Sequence, residues 1–204
     1  PAPQTLAYGN DSLQALDLWV PQGAKNAPLV LYVHGGGWKR GSKNSAANGP
    51  MPAHMLAQGY AFASIDYRLV PRNTVEEQAS DVAAALAHVL KRADALGIDR
   101  SRVVITGHSA GAHLVALVGT DERYLKAVGL SFADIDGVMP NDGAAYDVEK
   151  QVAQAGRVGR GDIDGDVVGD RVDAFEAVQV VIRRRLVGRV LVLADVDAED
   201  AATP

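Results

Sequence analysis

Val103-Val104-Ile105-Thr106-Gly107-His108-Ser109-Ala110-Gly111-Ala112-His113 decides how this chain is read. Val103 to Thr106 are β-branched and mostly apolar, the pattern of a buried strand. The Ala, Leu and Val run from Ala110 to Val118 has the composition of a helix packed against it. Between them stands Gly-x-Ser-x-Gly. A turn this tight between strand and helix leaves no room for bulk beside the serine, a demand that Gly107 and Gly111 meet. The Ser109 hydroxyl is then lifted clear of the sheet as a nucleophile. The N–H of Ala110, at the positive end of the helix that follows, points to where an oxyanion would form.

A second motif lies upstream. Pro28 to Val33 is another buried-strand run, and it delivers His34-Gly35-Gly36-Gly37-Trp38. Consecutive glycines leave backbone N–H groups uncovered at a strand end, which is what the other half of an oxyanion hole requires. Gly36 and Gly37 are therefore the candidate donors beside Ala110, with His34, Gly35, Gly107 and Gly111 as motif support. His34 and His108 each precede a motif residue on the strand side and are expected to bond backbone, and His113, one turn into the helix, to pack. Trp38 reads either as a wall of the acyl pocket or as packing under the loop, the second being preferred.

With HGGG first and Gly-x-Ser-x-Gly about seventy residues later, the chain resembles the α/β-hydrolase superfamily. Within it the resemblance is to HGGGW-bearing esterases of the hormone-sensitive-lipase-like, feruloyl-esterase-like and arylformamidase-like groups. Ser64-Ile65-Asp66-Tyr67-Arg68-Leu69 is similar to their DYRL segment, and Asp142-Gly143-Ala144-Ala145-Tyr146-Asp147 to a segment after the elbow. The resemblance covers about residues 5–155. It implies an α/β fold with a doubly wound, mostly parallel sheet lacking its last strands. It also implies a carboxylesterase that cleaves small to medium acyl esters through an acyl-enzyme on Ser109, needing no cofactor or metal. An arylformamidase-like amidase and a non-catalytic truncated hydrolase are the alternatives.

In this superfamily the triad runs Ser, then Asp or Glu, then His. The five histidines are His34, His54, His88, His108 and His113, so the position of the catalytic His is empty and the activity of this chain is expected to be impaired. Asp195 or Asp197, after the strand-like run from Arg189 to Ala194, stands in the place of the acid with no imidazole to orient.

The rest of the chain fits one domain over 1–156. Leu13 to Val20 reads as an antiparallel edge strand. Lys39 to Pro50 is expected as a loop above the site, Pro52 to Gln58 as a short helix, and Tyr60 to Ile65 as a strand. Thr74 and Glu77 form a capping box that opens a helix to about Leu96, ended by Gly97. Tyr124 to Phe132 reads as a short helix or connection, and Ile135 to Met139 as a strand closed by Pro140. Asp66 and Arg68 are spaced for a buried pair bracing the oxyanion loop, a solvated strand end being the other reading.

Residues 157–204 form a biased, irregular tail. All but Ile163, Phe175, Ile182 and Thr203 belong to nine residue types that codons beginning with G or C can encode. This alphabet fits a reading frame displaced by one base in a GC-rich gene; a natural biased linker is the alternative. Asp162, Asp164, Asp166, Asp170 and Asp173 mimic a calcium loop, but Val167 replaces its glycine and the final ligand is not Glu.

A net charge of −5 with 48% hydrophobic residues gives no reason to expect nucleic acid as a partner, and no run is long enough to span a membrane. The absence of cysteine excludes disulfides and a thiol nucleophile. Pro1 at the start fits a removed leader or a trimmed start, leaving cytoplasm and export both open, as is the oligomeric state.

Overall fold

The structure is a computed structural model and describes residues 2–141. Six strands, β1 (Gln4–Ala7), β2 (Ala15–Trp19), β3 (Ala27–Val33), β4 (Ala61–Ile65), β5 (Ile98–His108) and β6 (Gly137–Asn141), form one sheet in the order β1-β2-β4-β3-β5-β6. The β1–β2 and β2–β4 pairs are antiparallel, and β4, β3, β5 and β6 run parallel. Between them lie α1 (Asn44–Ala47), α2 (Met51–Ala57), α3 (Val75–Leu90), α4 (Ala93–Leu96), α5 (Ala110–Thr120) and α6 (Arg123–Ala127).

Alternation along the strands sorts two cores. Leu29, Leu31 and Val33 of β3, Ala61, Ala63 and Ile65 of β4, and Leu16 and Leu18 of β2 face the layer of α3 and α5. Their neighbours Val30, Phe62 and Trp19 point the other way, onto Met51, Met55 and Leu56 of α2. On that second face the antiparallel register also sets Asp17 opposite Ser64. Both reach Lys43: its Nζ donates to Asp17 Oδ2 at 2.8 Å, and Ser64 Oγ donates to its carbonyl at 2.8 Å.

The α3 cap is as expected: Thr74 Oγ1 accepts from Glu77 N at 3.2 Å, and Glu77 Oε2 accepts from Thr74 N at 2.8 Å. Five expectations are corrected. First, β2 is no edge, because the short β1 lies outside it. Second, the stretch expected as a loop contains the single turn α1. Third, the long helix stops at Leu90 and resumes as α4, which Gly97 ends in the left-handed conformation at φ 67°. Fourth, β6 runs through Pro140 to Asn141, which a strand outermost among the described residues tolerates. Fifth, Arg68 does not pair with Asp66. Its guanidinium reaches α3 instead and grips Asp81 through Nε and Nη2 at 2.8–3.1 Å, while Asp66 Oδ1 accepts the backbone N–H of Lys43 at 2.6 Å. Asp142 to Asp147, the tail 157–204 with its calcium-like spacing, and Asp195 and Asp197 lie outside the described residues.

Candidate active site

The carboxyl ends of β3 and β5 are adjacent, with Val33 in register with Gly107, so the two glycine motifs leave the sheet side by side. At the end of β5, Ser109 takes φ 53° and ψ −118° before α5 begins at Ala110. A non-glycine residue held there stores about 1–3 kcal/mol of backbone strain. Among the described residues the only other non-glycine with positive φ is Trp38, at 62°. The two strained positions thus fall one in each motif.

Contacts with no slack hold this junction. A methyl group on Gly111 would collide with the carbonyls of Val33 and His34, and one on Gly107 with the backbone of Gly111 and Ala112. A methyl on Gly35 would lie 2.8 Å from His108 O and 3.1 Å from Ser109 Cβ, so the glycine loop stands directly against the serine. From the other side, Ser109 N donates to Asn141 O at 3.0 Å, and Asn141 Nδ2 donates to Thr106 Oγ1 at 3.0 Å. Ser109 itself is half-buried and its α5 neighbour Ala110 fully buried.

Among the described residues no acceptor engages the N–H of Gly36, Gly37 or Ala110. Gly37 is exposed, and a side chain there would meet open space. The Gly36 carbonyl, in contrast, is turned back to accept from Lys39 N and Arg40 N at 3.3 and 3.2 Å, which fixes the peptide that follows it. Free donors at a helix start and on a glycine loop, beside a strained hydroxyl, are suited to receiving the charge of a tetrahedral oxyanion.

The histidines are placed by their surroundings. His34 is buried, and its Nδ1–H donates to Gly35 O at 2.7 Å, which leaves Nε2 as the unprotonated nitrogen. Its ring stacks on Tyr67 with centroids 4.3 Å apart, and Tyr67 Oη donates to the His34 carbonyl at 2.9 Å. Burial pushes the His34 pKa below its ordinary value, against smaller upward pulls from the Gly35 bond and Asp66. His113 is buried edge-on to Trp38 with centroids 5.6 Å apart, and desolvation lowers its pKa as well. His108 is exposed beside the loop.

Three supports were not foreseen. Asn141 anchors the serine through its carbonyl, Lys43 ties the stretch after the loop to β2 and β4, and Gln78 holds Trp38. Gln78 carried a signal: with Asp81 it is a polar residue on the face of α3 that Val75, Ala79 and Val82 make apolar. A shallow depression lined by Pro21, Lys25, Asp94 and Leu96 lies at the amino ends of β3 and β5, the opposite end of the sheet from Ser109. No helix among the described residues is long and apolar enough to cross a membrane.

A mostly parallel sheet that presents a serine on a strand-to-helix turn against a glycine loop is the α/β-hydrolase fold. The chain belongs to the BD-FAE family, whose model matches residues 16–152. It is 37% identical over 114 residues to Esterase LipC of Mycobacterium tuberculosis, an overlap of 55% of this chain and 28% of that protein. It is 32% identical over 133 residues to the isoprenylcysteine alpha-carbonyl methylesterase ICME of Arabidopsis thaliana, or 63% of this chain and 30% of that protein. The chain thus spans less than a third of the length of either relative. Among solved structures it is similar to a bacterial heroin esterase, with a TM-score of 0.56 and 28% identity over 68% of this chain and 43% of that one.

Proposed function

We propose that this chain carries the acyl-transfer centre of a serine carboxylesterase acting on small to medium acyl esters. Ser109 Oγ attacks the ester carbonyl, and the carbonyl electron pair moves onto oxygen between the N–H groups of Gly36, Gly37 and Ala110. Collapse expels the alcohol, which leaves with the proton from Ser109, and water then releases the acid from the acyl-enzyme. The observation that carries this reading is the strained Ser109 at the β5–α5 junction with Gly35 pressed against it.

Among these 204 residues no histidine follows His113, so within them water relays the proton from Ser109 to the departing alcohol, and turnover falls several orders of magnitude below that of a complete triad. The second reading is a hydrolase domain that does not turn over on its own, because these 204 residues hold no imidazole after the serine helix. Hydrolysis of p-nitrophenyl acetate and butyrate by the full chain and by Ser109→Ala, with fluorophosphonate labelling, separates the two. Slow labelling and a burst, both lost in Ser109→Ala, are expected. Equal rates without label would support the non-catalytic reading.

A further inference from the structure

We infer that Gln78 is a positioning residue for the oxyanion loop. It lies on the first turns of α3, where its backbone N–H is bonded to Thr74 O at 3.1 Å, so its stem is fixed by the cap of that helix. Its side chain is completely buried, and Nε2 donates to the carbonyl of Trp38 at 2.7 Å, 40 residues away in sequence. The same carbonyl accepts Val70 N at 3.0 Å, so two donors, one from α3 and one from the segment after β4, grip the residue that holds the left-handed turn after Gly37.

The placement has a chemical consequence. Trp38 is bulky and adopts a conformation that L-residues disfavour, so something outside the loop must hold it there. A carbonyl clamped from both sides sets the orientation of the peptides leading into it, those of Gly36 and Gly37, whose N–H groups are free among the described residues. Gln78 itself is shielded from solvent, which strengthens the bond that its amide makes. Without the amide donor the turn would relax and the two N–H groups would lose their aim. The catalytic part of this inference rests on the esterase reading; the conformational part does not.

The test uses the full chain and reads the loop directly. In Gln78→Leu, the backbone amide resonances of Gly36 and Gly37 should shift, and their hydrogen exchange should quicken about tenfold or more. Fluorophosphonate labelling of Ser109 should slow about tenfold, with the KM for p-nitrophenyl acetate within about twofold, because an oxyanion donor acts in the transition state. Gln78→Asn withdraws the amide by one methylene and should give the same displacement if the Leu variant does not fold. Val82→Ala, equally buried on the same helix, should lower the melting temperature yet leave the glycine amides in place. Unmoved amides in both Gln78 variants, or equal movement in Val82→Ala, would overturn the inference. Amides that move in a chain whose Ser109 never labels would uphold it while removing the esterase reading.

Discussion

Ser109 and Gly111, two residues apart, answer to opposite constraints. Ser109 bears a side chain where the backbone would prefer none, so Ser109→Gly should raise stability by about 1 kcal/mol in urea unfolding while abolishing labelling. Gly111 has no side chain because the carbonyls of Val33 and His34 fill the space, so Gly111→Ala should cost about 3 kcal/mol and expose the site to slippage between β3 and α5. Gly37→Ala meets open space and should cost only the conformational penalty of about 1–2 kcal/mol. These residues were legible in the sequence because glycine is chosen by the backbone itself, and a motif of glycines therefore records local geometry. Arg68 was not legible in the same way. Its partner Asp81 stands thirteen residues on, in another element, and nothing local distinguishes it from the nearer Asp66.

At the scale of elements, α3 acts as the post from which the site is guyed. Its cap and apolar face were readable because both follow helical spacing, but its end at Leu90 was not, since the apolar period continues in phase to Leu96. The edge strand β1 escaped notice for a related reason: four mostly exposed residues carry no alternation, and their pairing with β2 is decided by contacts far along the chain. Asp81 is the second tie of α3, almost fully buried and accepting from Arg68 N, Nε and Nη2 and from Gln14 Nε2. Removing one partner of a fully buried ion pair costs about 3–5 kcal/mol. Arg68 keeps partial contact with water, so Asp81→Ala should cost nearer to about 2 kcal/mol by urea unfolding.

For the whole molecule, the desolvated imidazoles set the response to mild acid. His34, His88 and His113 are each held below the ordinary imidazole value, by burial first. The unfolded chain therefore takes up protons near pH 6.5 that the folded chain refuses. The stability these groups allow is complete above that value and is lost as pH falls through it. The urea midpoint should decline from about pH 7.5 to 5.5, and His34→Gln should flatten that slope; an unchanged slope would show that the ring is not desolvated in solution. A further proposal concerns the coding sequence: the hydrolase domain ends near residue 156, and a one-base change of frame beyond it restores an apolar strand, an Asp and a later His. Resequencing the gene and translating all three frames checks this, and the absence of such a frame would leave the tail as a natural linker. The mutual seating of Gly35 against Ser109 and of Gly111 against Val33 and His34 bears on how such a junction can be rebuilt. Either glycine motif moved alone into a foreign scaffold would arrive without the surface it was cut to fit. The two would have to be transplanted as one cassette, with β3 and β5 as its shared frame.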